Sequence, residues 1–326
     1  MANDKLGTLT EQYRHTPVML DEVIKHLCPG QDEVFLDCTL GGAGHSVQIA
    51  KLLGKHGILV GIDQDKMARQ SAKHTLNTLS DETRPQIFVM DANFSDIDRV
   101  LSAIPVPGVD MVVFDLGVSS PQLDFVERGF TYKSGSFLDM RMDTDNNEIT
   151  AAVILNEYEE AEIERILRVF GEEKCSKKIA HMIVEKRRES KIETSDDLVE
   201  IIKASIPAAM RRKGGHPAKR TFQALRIAVN RELEVLEDGL DAAIRWLNPE
   251  GRLCVISYHS LEDRIVKEKI RSLEMRCTCS EEIPICTCGR QPILKSRPRK
   301  AILPRSEEVE TNPRSRSAKM RVAVKL

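Results

Sequence analysis

The sequence predicts an α/β fold with a parallel sheet that an all-helical insertion interrupts. Between residues 34 and 120, four short apolar segments alternate with segments of helical periodicity, the pattern of strand–helix units in a parallel sheet. Each apolar segment reaches an aspartate at its end. Residues 151–210 then show almost only amphipathic helical periodicity, and strand-like segments return near residues 252 and 320. These three observations together predict the fold class.

The individual elements follow from apolar runs and capping signals. Strands are predicted at Val34–Asp37, Ile58–Asp63, Gln86–Phe94, Met111–Gly117, Arg252–Ser257 and Met320–Val324. Helices are predicted at Gly44–Leu53, Lys66–Thr78, Asp96–Ala103, Glu159–Phe170, Cys175–Glu189, Ser195–Ala204, Thr221–Leu247 and Leu261–Leu273. The run Ser195-Asp196-Asp197 has the composition of a helix N-terminus, where side-chain oxygens accept from unpaired N–H groups.

The chain length of 326 residues allows one domain with a large insertion. Residues 1–125 and 215–326 are predicted to form a discontinuous α/β core with a basic C-terminal tail. Residues 126–214 are predicted to form an inserted helical subdomain that recognises the substrate.

Composition restricts the class of protein. Charged residues make up 30% of the chain and aromatic residues 4%, which is typical of a helix-rich α/β protein. No apolar run is long enough to cross a membrane, and the N-terminal residues lack the apolar stretch of a signal peptide. Four of the eight cysteines, Cys28, Cys38, Cys175 and Cys254, are isolated, which does not suit a disulfide framework. We therefore expect a cytoplasmic protein that does not bind membranes.

A glycine-rich turn connects the first strand to the first helix of the predicted sheet. It reads Gly41-Gly42-Ala43-Gly44-His45-Ser46 and follows Asp37 closely. A dinucleotide site requires a third glycine at a set offset, which is absent here. The alternative ligand is S-adenosylmethionine, which requires close backbone approach and a carboxylate such as Asp37 for its amino-acid end. An ordinary strand-to-helix turn is the third possibility for this segment alone.

The ends of the next strands favour a ligand cleft. Asp63 stands 19 residues after Gly44, where a carboxylate that binds ribose hydroxyls is expected. At the end of the third strand, Phe94 is placed to pack on adenine, with Asp91 or nearby backbone at the base edge. Asp115 ends the fourth strand. Carboxyl ends of parallel strands share one sheet edge, so one cleft explains these residues better than separate helix caps.

Two basic windows stand out in a chain whose net charge is −2. One runs from residue 211 to 226 and the other from 290 to 305, and neither contains an acidic residue. A single such window is most often a solvated surface. Two of them favour a local site for a polyanion such as nucleic acid.

Several motifs resemble one enzyme family. They are His15–Glu22, Asp37–Ser46, Asp115–Asp124, Arg128–Phe130, Leu138–Asp143, Arg220–Asn230, His259–Arg264 and Asn312–Ser317. In this order, and over nearly the whole chain, they resemble the RsmH (MraW) family of bacterial methyltransferases. The resemblance implies a Rossmann-like class I methyltransferase sheet and methylation, by S-adenosylmethionine, of the N4 amine of a decoding-centre cytidine in 16S ribosomal RNA. It also implies the assembled small subunit as substrate.

The resemblance places the cofactor site on Ala43, Gly44, His45, Asp63, Phe94, Asp115 and Gln122. The chemistry requires hydrogen-bond acceptors beside the methyl group, because the lone pair of a cytosine amine is delocalised into the ring. Asp115 is the candidate acceptor, assisted by Ser119 or Ser120, and no metal is required. Ser120-Pro121-Gln122 departs from the Pro-Pro-aromatic pattern of amino-methyltransferases, so the individual acceptor stays open.

Arg220, Arg226 and His259 are the candidate substrate contacts. Arg231 is expected on the same long helix as the other two arginines, paired with Glu232 and Glu234. His259 is expected to contact substrate and not to act as a base, and its alternative role is a helix cap.

An extruded base needs an aromatic platform, for which Phe130, Tyr132 and Phe137 are candidates. The run Gly135-Ser136-Phe137-Leu138-Asp139 departs from the family's Asp-Gly-Pro-Leu-Asp, which leaves its turn geometry open.

Two readings stay open for the cysteines Cys277, Cys279, Cys286 and Cys288. Their Cys-x-Cys spacing is unusual for structural zinc, and a small hairpin whose thiols bind no metal is slightly favoured.

Three functions are ranked for the whole chain. Ribosomal RNA methylation comes first, methylation of a protein or small molecule second, and a non-catalytic ribosome-assembly factor third. A homodimer is compatible with the sequence.

Overall fold

The computed structural model describes residues 17–211, 215–275, 277, 279 and 288–326. The chain divides into two compact units. The sheet unit comprises Met1–Gly117 and Leu233–Leu326, and the helical unit comprises Val118–Glu232. The helical unit is wider at both ends than the predicted insertion of residues 126–214, because it also includes the segment after the fourth strand and a complete helix before residue 233.

Seven strands form the sheet of the sheet unit. They are β1 (Val34–Asp37), β2 (Ile58–Asp63), β3 (Gln86–Asp91), β4 (Val109–Asp115), β5 (Leu247–Ser257), β6 (Leu294–Ser296) and β7 (Lys319–Lys325). Their order is β3-β2-β1-β4-β5-β7-β6. The first five strands pair in parallel, and β7 is antiparallel to both of its neighbours. The predicted α/β class with a parallel sheet is confirmed.

Both faces of the sheet are buried, which explains why the strands read as continuous apolar runs. Alternate residues point to opposite faces: Leu36 and Val112 belong to one apolar cluster, and Phe35 and Val113 belong to another. The strand order places β1 between β2 and β4. Successive crossovers therefore leave in opposite directions from β1, and the crevice at the carboxyl ends of these strands is where α/β sheets bind ligands.

Helices cover the sheet. In the sheet unit they are α1 (Leu20–Leu27), α2 (Gly44–Leu53), α3 (Lys66–Leu76), α4 (Ile97–Ser102), α12 (Glu232–Trp246, whose first residue belongs to the helical unit), α13 (Ser260–Glu274) and α14 (Ser306–Thr311). The helices predicted between the first four strands are confirmed to within two residues at each end. Among the described residues, no helix has the length and apolar character that crossing a membrane requires.

The helical unit has its own apolar core. Its helices are α5 (Ser120–Asp124), α6 (Ala151–Glu157), α7 (Glu160–Gly171), α8 (Ser176–Glu189), α9 (Ser195–Ser205), α10 (Ala208–Arg211) and α11 (Lys219–Asn230). The core includes Ile163, Ile179, Leu198 and Leu225, each with no exposed side-chain surface. The amphipathic periodicity of residues 151–210 is thus explained by burial of one face of each helix.

The single long helix predicted for Thr221–Leu247 is wrong. The chain forms α11 and α12, separated at Arg231, whose φ of 49° lies in the left-handed region. The preceding residue, Asn230, donates its side-chain amide to the carbonyl of Met140 and accepts from the N–H of Met142. Arg220 and Arg231 therefore do not share a continuous helix face.

The loop that departs from the family pattern is bonded to the start of α9. The N–H of Gly135 donates to Asp196 Oδ2 at 2.8 Å, and the hydroxyl of Ser195 donates to the carbonyl of Lys133 at 2.6 Å. The N–H of Ser195 donates to the carbonyl of Ser136 at 2.7 Å. These bonds define the turn that the sequence left open, and they leave the next side chain, Phe137, 62% exposed.

Two glycines of the helical unit provide a matched test of its packing. Gly129 and Gly135 have nearly equal φ angles of 80° and 79°. A Cβ at Gly129 would lie 2.5 Å from the carbonyl oxygen of Phe137, whereas a Cβ at Gly135 has no atom within 4 Å. We expect Gly129→Ala to destabilise the protein by about 2–4 kcal/mol and Gly135→Ala by about 1 kcal/mol. Thermal unfolding followed by circular dichroism measures both, and equal losses would contradict the packing argument.

Candidate cofactor site

The turn before α2 contains two residues in the left-handed backbone conformation. Gly41 has a φ of 51°, and Ala43 is left-handed at 64°. A Cβ on Gly44 would lie 2.6 Å from Cγ of Pro17, so only glycine allows this close contact. A left-handed conformation is strained for alanine, and such strain clusters at ligand-binding sites. The N-terminal motif is thereby packed directly on the glycine-rich turn, although its first residues, His15 and Thr16, lie outside the described part of the chain.

The imidazole of His45 has a structural role. Its Nε2 lies 2.9 Å from the carbonyl oxygen of Val18, and the side chain is buried. Its Nδ1 lies 3.8 Å from Oδ2 of Asp115. In the first turn of α2, the backbone N–H of His45 belongs to the groups that a helix leaves unpaired. The main chain of Ala43, Gly44 and His45 is therefore the part suited to a ligand.

Asp37 ends β1 and is buried beneath the turn. Its Oδ2 accepts from the hydroxyl of Ser46 at 2.6 Å, and its Oδ1 accepts from the N–H of Thr39 at 3.1 Å. Burial raises the pKa of Asp37, against the opposing effect of the Ser46 hydrogen bond. Asp37 thus fixes the start of α2, and its negative charge favours a cation nearby.

Asp63, at the end of β2, accepts two backbone hydrogen bonds. Gly41 donates to Oδ2 and Asp65 donates to Oδ1, both at 2.8 Å. Burial raises the pKa of Asp63 to about 7 despite these bonds. The carboxyl group retains acceptor positions beyond these two bonds. Two hydroxyl donors of a ribose would stabilise its ionised form.

Asp115, at the end of β4, lies in a cluster of polar groups. The hydroxyl of Tyr258 donates to Asp115 Oδ1 at 2.6 Å, and the N–H of Asp115 donates to the hydroxyl oxygen of Thr39 at 2.6 Å. Burial raises the pKa of Asp115, and the nearby carboxylates of Glu262 and Glu308 act in the same direction. The group is therefore a stronger proton acceptor than an ordinary aspartate.

Phe94 follows β3 in the short helix Phe94–Asp96. Its ring meets the ring of Phe114 edge-on, with centroids 5.5 Å apart. A Cβ on Gly239 of α12 would lie 2.6 Å from Cδ2 of Phe94, so the glycine makes room for the ring. Phe94 is thus fixed in place while part of its surface stays accessible.

The remaining cofactor and catalytic candidates lie in the helical unit. Ser119 precedes α5, and its N–H donates to Oε1 of Gln122 at 2.9 Å. Gln122 is buried, so its amide oxygen has a structural task at the helix start. The backbone of Ser120 begins α5, and its side chain lies outside the described part of the structure.

His259 occupies the helix-cap position that the sequence offered as its alternative role. Its Nδ1 accepts from the N–H of Glu262 at 3.4 Å, and its own N–H donates to Oε2 of Glu262 at 3.2 Å. The same Oε2 accepts from the N–H of Tyr258 at 2.8 Å. This reciprocal cap fixes the direction in which the chain leaves β5 and so positions the Tyr258 side chain.

The arginines of the first basic window differ in environment. Arg220 is exposed, and its guanidinium donates to the carbonyl of Glu172 at 3.1 Å. Arg226 makes two hydrogen bonds to Glu232, at 2.7 and 2.8 Å, and its side chain is only 15% exposed. Glu232 thus forms its ion pair with Arg226, whereas the sequence analysis predicted an ion pair between Glu232 and Arg231. Arg212 and Lys213 of this window lie outside the described residues.

The three candidate stacking residues differ in solvent exposure. Phe130 is 6% exposed and belongs to the core of the helical unit. Tyr132 is 41% exposed and stacks on His216, with ring centroids 4.2 Å apart. Phe137 is 62% exposed. Phe130 is therefore a core residue and not a platform for a base.

The second basic window is largely solvent-exposed. Lys295, Arg297, Arg299 and Lys300 are all exposed around and after β6. Arg305 instead forms an ion pair with Glu22 of α1, at 2.8 Å. Four cations on one short segment favour phosphate contacts.

Sequence reasoning missed three side chains of the cluster. Tyr258, Thr39 and Ser46 each hydrogen-bond an aspartate at a strand end. The available signal was their position, because each lies within two residues of a strand end or a helix start at the carboxyl edge of the sheet. Together, the residues present suit a nucleoside with a cationic group, since the buried carboxyl group of Asp37 and the partly buried ones of Asp63 and Asp115 lie at the sheet edge that carries the glycine-rich turn.

Comparison with known proteins identifies the family. The MraW methylase family matches residues 12–326. The chain is 48% identical to a ribosomal RNA small subunit methyltransferase H of Clostridium botulinum (strain Kyoto / Type A2), over 97% of this chain and 100% of that protein. It is 49% identical to the protein of the same name from Heliobacterium mobile, again over 97% and 100%. The chain therefore belongs to the MraW methylase family and is an S-adenosylmethionine-dependent methyltransferase.

Proposed function

We propose that this protein methylates the N4 amine of a decoding-centre cytidine in the 16S RNA of the small ribosomal subunit. The similarity to proteins named ribosomal RNA small subunit methyltransferase H, over nearly the entire length of both chains, carries this proposal. The polar cluster around Asp115 supports it, because it supplies the acceptor that an amine substrate needs.

The cofactor site lies on the sheet unit. The backbone of Ala43, Gly44 and His45 binds the amino-acid end together with Asp37, whose charge attracts the ammonium group. Asp63 accepts from the ribose hydroxyls, and Phe94 packs on the adenine. Gln122 is proposed to complete this site. S-adenosylmethionine supplies an electrophilic methyl group on its sulfonium.

Asp115 is the proposed acceptor for the substrate amine. The carboxylate accepts a hydrogen bond from the amine N–H, which localises the nitrogen lone pair and lets it attack in line with the carbon–sulfur bond. As the N–C bond forms, the bond between the methyl carbon and the sulfur breaks, and the nitrogen loses one proton to the carboxylate. The raised pKa of Asp115 favours this transfer, and the Tyr258 hydroxyl holds the carboxylate in place. Ser119 and Ser120 are proposed to assist.

RNA binding is proposed for the exposed basic and aromatic groups. Arg220 of α11 and the exposed cations of residues 295–300 contact phosphates, which adds affinity without sequence choice. Arg226 orients the end of α11 through its hydrogen bonds to Glu232. His259 is proposed to contact the substrate from the helix-cap position that it occupies. An extruded base needs an accessible ring, and Phe137 has the most exposed ring of the three candidates.

Methyl transfer from labelled S-adenosylmethionine into small subunits that lack the modification tests this function. Nucleoside analysis should find label in N4-methylcytidine, with assembled subunits labelled faster than naked 16S RNA. Cofactor binding without a labelled nucleoside would favour a protein or small-molecule substrate. A protein that binds subunits but not the cofactor would support an assembly factor without catalysis.

Phe137→Ala is expected to reduce kcat/KM for subunits by about 10- to 100-fold, because stacking on an aromatic ring contributes about 1–3 kcal/mol per base. Phe137→Trp should retain activity within about threefold, since the ring surface is kept. Cofactor affinity should not change in either variant. Val169→Ala, which truncates another exposed apolar residue of the helical unit, is the control. If both alanine variants behave alike, Phe137 is not the platform.

A further inference from the structure

Three thiols meet in the segment between α13 and β6. Sulfur atoms of Cys277, Cys279 and Cys288 all lie within 4.8 Å of one another. The Sγ atoms of Cys277 and Cys288 are 3.9 Å apart. Thiolates bound to one tetrahedral zinc, at Zn–S distances of about 2.3 Å, stand about 3.8 Å from each other. The sulfur of a disulfide would lie much closer, at about 2 Å.

We propose that Cys277, Cys279 and Cys288 bind a structural zinc ion. Thiolate ligands select zinc over the oxygen-preferring cations Mg²⁺ and Ca²⁺. The N–H of Cys279 points at the Sγ of Cys277 from 3.4 Å, and such a donor stabilises the charge of a metal-bound thiolate. On binding, each thiol gives up its proton to solvent and forms one sulfur–zinc bond.

The surroundings explain why a metal is useful here. The N–H of Ile293 donates to the carbonyl of Leu273 at 2.8 Å, and the guanidinium of Arg290 donates to the carbonyl of Ser272. The chain thus leaves the end of α13 and returns beside it. A metal bound by Cys277 and Cys288 would cross-link the two ends of this connection.

The other cysteines differ from this cluster. Cys38 and Cys254 are buried in the sheet unit, and burial raises the pKa of both thiols. These two are core residues. Cys277 and Cys288 are exposed, which suits metal entry. Tetrahedral zinc takes a fourth donor. Cys286, the remaining cysteine of the predicted cluster, lies outside the described residues. The inference is independent of the RNA substrate, because the cluster supplies no step of methyl transfer.

Metal analysis of the purified full-length protein tests the proposal. Protein expressed in zinc-supplemented medium and purified without chelators should contain about one zinc per chain. An organomercurial that titrates thiols should release the metal, detected with a chromogenic chelator. The double variant C277S/C288S should retain less than about one tenth of the zinc. Cys28→Ser, which alters another exposed cysteine, should retain all of it.

Two further measurements make the result decisive. Cobalt substituted for zinc should give a sulfur-to-metal charge-transfer band whose intensity corresponds to at least three thiolates. Metal removal should speed tryptic cleavage within residues 275–292 by about tenfold or more, because the segment loses its cross-link. A zinc-free protein whose thiols all react without metal release would overturn the proposal. So would zinc that persists in C277S/C288S, or a cobalt spectrum of two thiolates or fewer.

Discussion

Replacing Asp115 with asparagine is expected to lower kcat for methyl transfer by about 10²- to 10³-fold, the usual cost of removing one preorganised electrostatic group. The amide keeps the shape of the carboxylate and still accepts from the Tyr258 hydroxyl. It cannot take the proton that leaves the amine. Because burial raises the pKa of Asp115, its ionised form is costly to bury, and the neutral asparagine should not destabilise the fold. Single-turnover labelling of small subunits measures the effect.

Asp241→Asn is the matched control. It removes a carboxylate of the sheet unit that pairs with Lys269 on the surface, and kcat should be unchanged. Tyr258→Phe separates positioning from proton transfer. It removes the hydrogen bond that lowers the pKa of Asp115, so the acidic limb of the pH–rate profile should move to higher pH while kcat falls only about tenfold. Activity of Asp115→Asn within threefold of the unchanged protein would exclude Asp115 as the acceptor.

The sheet could be predicted from sequence because its physical causes are local. A strand covered on both faces must be apolar throughout, and each of the first four strands has an aspartate at its carboxyl end. Asp37, Asp63 and Asp115 were therefore placed at one edge without knowledge of the pairing. The parallel register of β1 with β2 and β4 brings them there.

The errors arose where distant contacts decide the local structure. Residues 221–247 have good helix propensity throughout, yet the chain breaks at Arg231, directly after the residue that binds the backbone of Met140 and Met142. The pairing of Arg226 with Glu232 spans this break and has no helical spacing. Burial of Phe130 depends likewise on the packed core of the helical unit. None of these contacts leaves a periodic signal in the sequence.

Cofactor affinity is expected to rise about tenfold between pH 6 and pH 8 and then to level off. Burial raises the pKa of Asp63 to about 7, so its ionised fraction grows from about one tenth to about nine tenths across this interval. Ribose hydroxyls donate to the ionised carboxylate, and binding below pH 7 must therefore release a proton. Asp37 and Asp65 are the neighbouring acids whose charges contribute to this raised pKa. Calorimetry in buffers of different ionisation enthalpy counts the protons released.

The same shift has the opposite consequence for the free protein. The folded chain keeps a proton on Asp63 that the unfolded chain releases near pH 4, so the contribution of this group to stability falls as the pH rises from about 4 to about 7.

Asp63→Asn should abolish the pH dependence of binding between pH 6 and pH 8 and weaken affinity by about 10- to 100-fold. Asp98→Asn, which alters an exposed carboxylate of the sheet unit paired with Arg245, should leave the pH dependence intact. If cofactor binding at pH 6 releases no proton from the unchanged protein, the predicted coupling between ribose binding and ionisation of Asp63 is wrong.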